Sequence, residues 1–240
     1  YLATTEFSLP LYLIKDEKES EKTKEGNKPS EEENYFISYE EEQYHKCIKK
    51  ICDGKTSTVY QIVDTRTQKI MCKKILKYDP EQISFKDLQN SMKEFEILHL
   101  INHPSICGEI GINISEPVSN TEEEDLTTIA LFLEYLEHKL TDLITEKALN
   151  NTLKTKVVIE IVHGMAFLHN KGMIHRNFDI ESVMLDSDFN SKIIKFGQAK
   201  IIECLSDQTT FAESMTKNIG SMFFMSPEMM NDDDIYDNKT

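Results

Sequence analysis

Short apolar segments separated by tight polar turns are the main pattern of the chain from residue 46 onward. They are rich in Ile, Val, Tyr and Cys, and the turn Asp53-Gly54-Lys55 separates the first two. Segments of this length bounded by turn residues are typical of β-strands, and the first three, at about ten-residue spacing, predict an antiparallel meander. The predicted strands are 46–52, 57–64, 69–76, 106–112 and 127–135.

Two longer segments have apolar residues at three- and four-residue spacing, which is typical of an amphipathic helix. The second covers residues 153–169, and Gly172 beyond it fits the left-handed residue that closes a helix. These elements predict an α+β fold, with five strands and one helix in the first half and a mainly helical second half. The first helix, about 84–101, has its apolar residues at Leu88, Met92, Phe95, Leu98 and Ile101.

Residues 1–45 precede this pattern and are acidic. The segment 15–34 contains no hydrophobic residue, so it cannot bury enough apolar area to offset the entropy lost on ordering. We expect a largely disordered N-terminal extension there. Residues 115–125 predict a solvated loop within the first half, and the hydroxyl-rich segment 201–226 predicts irregular structure.

Composition limits the classes of function. The net charge of −15 over 240 residues argues against nucleic acid and anionic membrane surfaces as partners. Five cysteines, without a Cys-x-x-Cys pair, are typical of reduced thiols in a cytoplasmic or nuclear protein. No apolar run approaches the roughly 18 residues of a membrane span.

Residues 174–197 (IHRNFDIESVMLDSDFNSKIIKFG) predict a buried strand-turn-strand unit with charged segments beside it. Together with the loop 51–60 and the segment 220–228 (GSMFFMSPE), this stretch resembles the landmarks of the protein kinase family. The resemblance covers residues 46–240. It implies a two-lobed fold, with a small antiparallel β lobe and hinge at 46–136 and an incomplete large lobe at 137–240.

The loop 51–60 (ICDGKTSTVY) resembles the glycine-rich loop that approaches nucleotide phosphates in this family. Counting back from Val59, its three glycine positions are Cys52, Gly54 and Ser57, and only the middle one is glycine. Because a side chain at the other two positions separates the backbone from a ligand, the resemblance implies weakened phosphate contact.

Lys74 stands at the position of the family's phosphate-binding lysine. Side chains alternate between the faces of a strand, so Cys72 and Lys74 point one way and Lys73 points the other way as a surface charge. A shift of one residue would exchange the two lysines, and Lys73 therefore remains an alternative.

Glu94 shares a helix face with Leu98 and Ile101. A carboxylate in line with apolar residues needs a cationic partner, and the resemblance implies that this partner is Lys74. A solvated glutamate is the other interpretation of such a position, and it fits Glu96 better.

Residues 129–140 (IALFLEYLEHKL) resemble the last strand of the small lobe and the hinge. The resemblance places Leu133 at the gatekeeper position and implies that Glu134–Leu136 offer backbone groups to an adenine ring. It therefore implies ATP as the cofactor. The implied cofactor-binding residues are Ile51, Gly54, Val59, Cys72, Lys74, Glu94, Leu133, Glu134, Leu136 and Met184.

The catalytic positions implied by the resemblance are all altered. Asn177 stands where the family has its catalytic Asp, Ser182 where it has a metal-binding Asn, and Lys195 where it has a metal-binding Asp. Asp179 stands where serine/threonine kinases usually have a lysine that contacts the transferring phosphate. An amide does not act as a base, and a lysine repels Mg²⁺. The resemblance therefore implies no metal ligands and weak, Mg²⁺-independent binding of ATP.

These departures leave more than one interpretation open. The first is a catalytically impaired pseudokinase that serves as a nucleotide-binding, allosteric or scaffolding module in signalling, with protein partners. The second is an active or weakly active serine/threonine kinase with displaced catalytic residues, for which the hydroxyl-rich segment 206–221 would be a site of phosphorylation. A third interpretation is another nucleotide chemistry on the same fold, or scaffolding by the acidic N-terminal segment, and no motif selects it.

Overall fold

The computed structural model describes residues 36–54, 56–76, 85–115 and 128–201. Residues 36–134 contain a five-stranded antiparallel sheet in the order β1-β2-β3-β5-β4. Ile62, Met71, Ala130 and Phe132 form the core on one face of this sheet. The elements are α1 (Tyr39–Glu42), β1 (His45–Asp53), β2 (Ser57–Asp64), β3 (Ile70–Leu76), α2 (Phe85–Leu100), β4 (Glu109–Ser115) and β5 (Thr128–Glu134).

The described residues after the hinge contain two helices and several short strands. The long helix begins after Asn150, whose side chain accepts a hydrogen bond from the backbone N–H of Leu153 and so caps it. Gly172 has a φ of 68°, which confirms the predicted left-handed residue. The elements are β6 (His138–Lys139), α3 (Leu140–Thr145), α4 (Asn151–Asn170), β7 (Met173–Ile174), β8 (Val183–Leu185), β9 (Ser191–Ile193) and β10 (Lys200–Ile201), with 3₁₀ turns at Ile180–Ser182 and Phe196–Gln198.

The predicted α+β fold with two lobes is therefore confirmed, and β8 and β9 form the antiparallel pair expected within 174–197. No helix in the described part of the chain is long and apolar enough to cross a membrane.

The predicted strand at 106–112 is wrong in its position. The strand β4 is Glu109–Ser115, and the residues before it pair with the other lobe instead. Cys107 N–H donates to the Ile193 carbonyl at 3.0 Å, and Ile193 N–H donates to the Ser105 carbonyl at 2.9 Å. These bonds satisfy backbone groups that the sequence pattern assigned to the sheet.

Residues 36–45 pack on the sheet, although the sequence assigned them to the N-terminal extension. Ile37 N–H donates to the Ile112 carbonyl at 2.8 Å, and Asn113 Nδ2 donates to the Ile37 carbonyl at 2.7 Å. Lys73 forms an ion pair with Glu42, and its side chain is 19% exposed, so the prediction of a surface charge is wrong.

The predictions for residues 1–35, 116–125 and 202–240 lie outside the described residues. The domain boundaries stay predictions.

Gly164 allows α4 to approach β9 and the residues before β4. A Cβ at this position would lie 2.8 Å from Ile193 Cδ1 and 3.2 Å from the Ser105 carbonyl oxygen. We expect Gly164→Val to lower the free energy of unfolding by about 1–3 kcal/mol, the usual cost of overpacking. Urea denaturation measures this change. Ala166→Val on the exposed side of the same helix is the control and should change it by less than about 0.5 kcal/mol. Equal effects of the two variants would contradict the prediction.

Candidate functional site

A cavity of about 720 Å³ lies between β1–β3, the hinge and the β8–β9 segment. Its lining combines apolar side chains with lysines and carboxylates, among them Lys74, Glu94 and Lys195. Gly54, also predicted as a ligand contact, lies outside the lining. Nine of the ten predicted cofactor-binding residues line the cavity: Ile51, Val59, Cys72, Lys74, Glu94, Leu133, Glu134, Leu136 and Met184.

The register of β3 decides between the two candidate lysines. Cys72 lies opposite Leu133 and Lys74 lies opposite Leu131 on β5, so both side chains face the cavity and α2. Lys74 forms an ion pair with Glu94, which is 8% exposed. Glu96, which was expected to be a solvated glutamate, is instead half-buried, and burial raises the pKa of its carboxyl group. The structure therefore brings Lys74 and Glu94 together as expected.

The hinge presents backbone groups and one paired acid to the cavity. Glu134 N–H donates to the Gly108 carbonyl at 2.9 Å, and the Glu134 carboxylate forms an ion pair with Lys192 at 3.1 Å. Leu136 is buried, and within the described part of the chain its N–H has no acceptor. A buried donor without a partner is costly, so a ligand that accepts from Leu136 would gain a hydrogen bond there.

The loop between β1 and β2 uses its polar groups internally. Gly54 N–H donates to the Ser57 carbonyl at 2.9 Å, and a Cβ on Gly54 would lie 3.3 Å from the same oxygen. Thr58 Oγ1 donates to Asp53 Oδ1 at 2.8 Å, and Lys50 pairs with Asp53 at 3.1 Å. The loop therefore uses these polar groups to bond to itself.

Lys195 lies in the cavity with a left-handed backbone (φ 70°, ψ 50°). Its Nζ is 3.0 Å from Glu181 Oε2 and 3.8 Å from Asp179 Oδ1. A left-handed conformation is uncommon for a residue other than glycine, asparagine or aspartate. The lysine is therefore held, despite this cost, by two carboxylates of the preceding turn.

The other three altered positions form a closed hydrogen-bonded turn outside the cavity lining. Ser182 Oγ lies 2.9 Å from the Asn177 carbonyl oxygen and 2.7 Å from Asp179 Oδ1, and it accepts from Asp179 N–H at 3.2 Å. Ser182 is fully buried. Its hydroxyl group therefore stabilises the turn, and no contact among the described residues directs it toward a ligand.

His175 joins this turn to the segment that follows β9. Its Nε2 donates to the Ile194 carbonyl at 2.9 Å, and its ring meets Phe196 edge to face at 5.0 Å. Burial lowers the pKa of His175, whereas the Ile194 carbonyl and the nearby carboxylates of Asp179 and Glu94 act in the opposite direction. The neutral imidazole therefore fits its role as a buried donor.

Several residues of the site escaped the sequence analysis. Glu181, the closer partner of Lys195, is 14 positions away, and no spacing rule connects them. Cys107 reaches the cavity because it bonds to Ile193 rather than to β5. Among the described residues, no group of three His, Cys, Asp or Glu side chains could hold a metal ion. The other lining residues that were not predicted include Lys49, Glu137, Lys139 and Asp142.

Alkylation of the Cys72 thiol provides a pH-dependent probe of this site. Burial is the main cause that raises the pKa of its thiol to about 11. Since the thiolate is the nucleophile, we expect iodoacetamide to modify Cys72 about tenfold faster per pH unit between pH 7 and 9, with no plateau. Mass spectrometry of the labelled peptide measures the rate. The exposed Cys47 is the control and should react faster throughout. A plateau at Cys72 below pH 9 would be evidence against a raised pKa.

Comparisons with known proteins agree with this geometry. Residues 45–240 match the model of the protein kinase domain. The human receptor-interacting serine/threonine-protein kinase 1 is 27% identical over 188 residues, which cover 75% of this chain and 26% of the relative. A probable serine/threonine-protein kinase of Dictyostelium discoideum is 31% identical over 213 residues, which cover 86% of this chain and 21% of that relative. The chain thus spans about a quarter or less of the length of these relatives. The match over most of its length shows that this chain belongs to the protein kinase family.

Proposed function

We propose that this kinase domain is catalytically impaired and acts as a nucleotide-binding, allosteric or scaffolding module in signalling. The observation that carries the proposal is Lys195, a cation in the cavity at the position where the family has a metal-binding aspartate. Its two carboxylate partners hold its charge in place at 3.0 and 3.8 Å. A Mg²⁺ ion beside it would meet a repulsion on the order of 4 kcal/mol per unit charge at about 4 Å in a partly screened site.

The other altered positions support the same proposal. Asn177 has no titratable group that could accept a proton from a substrate hydroxyl, and loss of a general base typically costs about 10²- to 10⁴-fold in rate. Ser182 is turned into its own loop, where it contacts Asp179 and Asn177. The turn is therefore a complete structural unit that does not need a metal ion or a substrate to be satisfied.

The hinge end of the cavity supports binding of an adenine nucleotide without Mg²⁺. Among the described residues the N–H of Leu136 has no acceptor, so it offers a donor, and Ile51, Val59 and Met184 supply apolar walls for a planar ring. The Gly54 N–H already donates to the Ser57 carbonyl, so we expect the affinity for ATP to be weak. The partners that follow from this proposal are proteins of the cytoplasm or nucleus.

A thermal-shift titration with ATP tests the proposal. We expect a small rise in the unfolding temperature with ATP in EDTA and no further rise when Mg²⁺ is added, since Lys195 already provides the local positive charge. Leu136→Pro, which removes the backbone N–H at the hinge, should abolish the rise. A rise that appears only with Mg²⁺ would overturn the proposal of metal-independent binding.

The ion pair of Lys74 and Glu94 favours a second candidate, an active serine/threonine kinase. This pair is the arrangement that active kinases need to hold nucleotide phosphates. Radiolabelled phosphate transfer to a general protein substrate, measured with Mg²⁺ or Mn²⁺, distinguishes the two candidates. Transfer above that of Lys74→Ala would support the active kinase, and transfer equal to that of Lys74→Ala would support the impaired one.

A further inference from the structure

Residues 36–45, which we call the strap, lie on the face of the sheet that is turned away from the cavity. Met71 points to this face, because the next residue on β3, Cys72, faces the cavity and side chains alternate along a strand. Ile37 of the strap packs against the apolar core that Met71 belongs to. The strap therefore covers part of the apolar core on this face of the sheet.

Polar contacts hold the strap at several points along its length. Besides the two hydrogen bonds at its N-terminal end, the Tyr44 carbonyl accepts from both the N–H and the hydroxyl group of Thr65, each at 2.9 Å. The carboxylate of Glu42 forms an ion pair with Lys73. Residues 38–40 between these contacts are exposed. Because an exposed segment of this kind opens more easily than the core of a domain, docking of the strap is a local equilibrium.

His45 lies where the strap enters β1, and its ring packs against the sheet. The ring centroids of His45 and Phe132 are 5.2 Å apart. The Nδ1 atom of His45 is inaccessible to solvent, and among the described residues it has no hydrogen-bond partner. A protonated imidazole donates through both ring nitrogens, so the docked strap would leave one N–H of a charged ring buried without an acceptor. The docked strap therefore fits the neutral ring.

The charged groups that face His45 are paired with one another. Asp64, which lies opposite His45 in the register of β1 and β2, pairs with Arg66 at 3.3 Å and accepts from its N–H at 2.8 Å. Glu42 is paired with Lys73. Burial is the largest cause acting on the pKa of His45 and lowers it, whereas the two carboxylates raise this pKa and the two cations lower it. The carboxylates therefore do not compensate a charged ring in the docked strap.

We infer that the strap is a proton-sensitive device, which docks on the sheet while His45 is neutral and opens when His45 is protonated. Opening would expose the apolar core that Ile37 covers and the Ile112 carbonyl on β4, which accepts from the Ile37 N–H. The inference goes beyond the proposed nucleotide binding, because Lys73 and Phe132, which contact the strap, do not line the cavity.

Proton linkage gives the direction and the size of the effect. In the open strap, His45 regains the ordinary pKa of about 6.5. The open form therefore binds a proton more tightly than the docked form, so opening is favoured as the pH falls through this value. If the docked form excludes the proton, the ratio of open to docked strap rises about tenfold between about pH 7.5 and about pH 5.5.

Amide hydrogen exchange of the intact protein, measured by NMR, tests the inference. The amides of Ile37 and Thr65 are the reporters, because they donate to carbonyls across the docked strap. We expect their protection factors, which correct for the intrinsic effect of pH on exchange, to fall about tenfold between about pH 7.5 and about pH 5.5. The Ile193 amide, bonded to the Ser105 carbonyl, is the internal control and should keep its protection. Unchanged protection of Ile37 and Thr65 would overturn the inference.

His45→Gln tests whether His45 is the group responsible, because a glutamine amide does not take up a proton in this range. We expect the pH dependence of strap protection to disappear in this variant. His138→Gln is the matched control and should retain the pH dependence, since His138 stacks on Phe189 in the second lobe at 4.7 Å. A pH dependence that persists in His45→Gln, or that is lost equally in both variants, would overturn the role of His45.

Titration of the His45 ring by NMR gives an answer that needs no variant, and it decides the role of His45 if His45→Gln does not fold. We expect a midpoint below about 6.5 that coincides with the loss of Ile37 amide protection. A midpoint at or above about 6.5, or one that differs from the midpoint of strap opening, would overturn the inference.

Discussion

Replacing Lys195 with aspartate, together with Asn177→Asp and Ser182→Asn, is expected to make nucleotide binding depend on Mg²⁺. The change at Lys195 reverses the charge at the metal position, and at about 4 Å each unit-charge pair is worth on the order of 4 kcal/mol in a partly screened site. It also leaves Glu181 and Asp179 without their cation. Mg²⁺ would then bind between these carboxylates, which repel one another when no cation lies beside them.

The backbone favours the same change. Lys195 has φ 70° and ψ 50°, a left-handed conformation that aspartate adopts more readily than lysine. We therefore expect the triple variant to fold, to be less stable than the natural protein in EDTA, and to gain stability with Mg²⁺ and ADP. At a ligand concentration of about 100 Kd the gain would be about 2.7 kcal/mol.

Differential scanning fluorimetry with ADP, with and without Mg²⁺, measures this gain. Lys139→Asp is the control, because it makes the same change of charge as Lys195→Asp at an exposed residue that lines the same cavity. It should produce no response to Mg²⁺. If the triple variant is as indifferent to Mg²⁺ as the control, these three positions do not control metal binding, or Lys195 does not occupy the metal position.

Local alternation predicted that only one of the two lysines faces the site, and the register of β3 with β5 decided that it is Lys74. Because β3 is paired on both sides, Cys72 and Lys74 had to share a face, and Lys73 had to point to the other. The partner of Lys73 could not be predicted. Glu42 lies 31 positions away in a segment whose composition resembles that of a disordered linker, and only the packed fold brings the two together.

The same limit applies to the residues around Lys195. The identities of Asn177, Asp179 and Lys195 predict altered chemistry, and this stays a prediction. They could not predict that Lys195 would bond to Glu181, because the two meet through a turn whose geometry depends on the buried Ser182. Likewise, the sequence of the loop around Gly54 could not show that the Gly54 N–H donates to the Ser57 carbonyl. Short-range patterns thus predicted the elements, and tertiary contacts decided the electrostatics.

Phe196→Ala is expected to have the largest effect on stability among single substitutions near the site. Phe196 is fully buried, and it packs in the core that joins α2 to the second lobe. Truncating a buried phenylalanine typically costs about 3–5 kcal/mol, and the edge-to-face contact with His175 is lost as well. The buried members of this core are Ile97, Leu98, Ile101, Ile106, Leu168, Met173, Ile193, Phe196 and Ala199.

Phe189→Ala is the matched control for this substitution. Phe189 is 37% exposed and stacks on His138 at 4.7 Å, so its removal should cost only about 0.5–1.5 kcal/mol. Chemical denaturation of both variants measures the difference. Because Phe196 touches elements of both lobes, a double-mutant cycle with Ile97→Ala should also show a coupling of about 0.5–3 kcal/mol. If Phe196→Ala lowers the free energy of unfolding no more than Phe189→Ala, or if the coupling is zero, the core does not join the lobes energetically. Lys195 would then be positioned by its ion pairs alone.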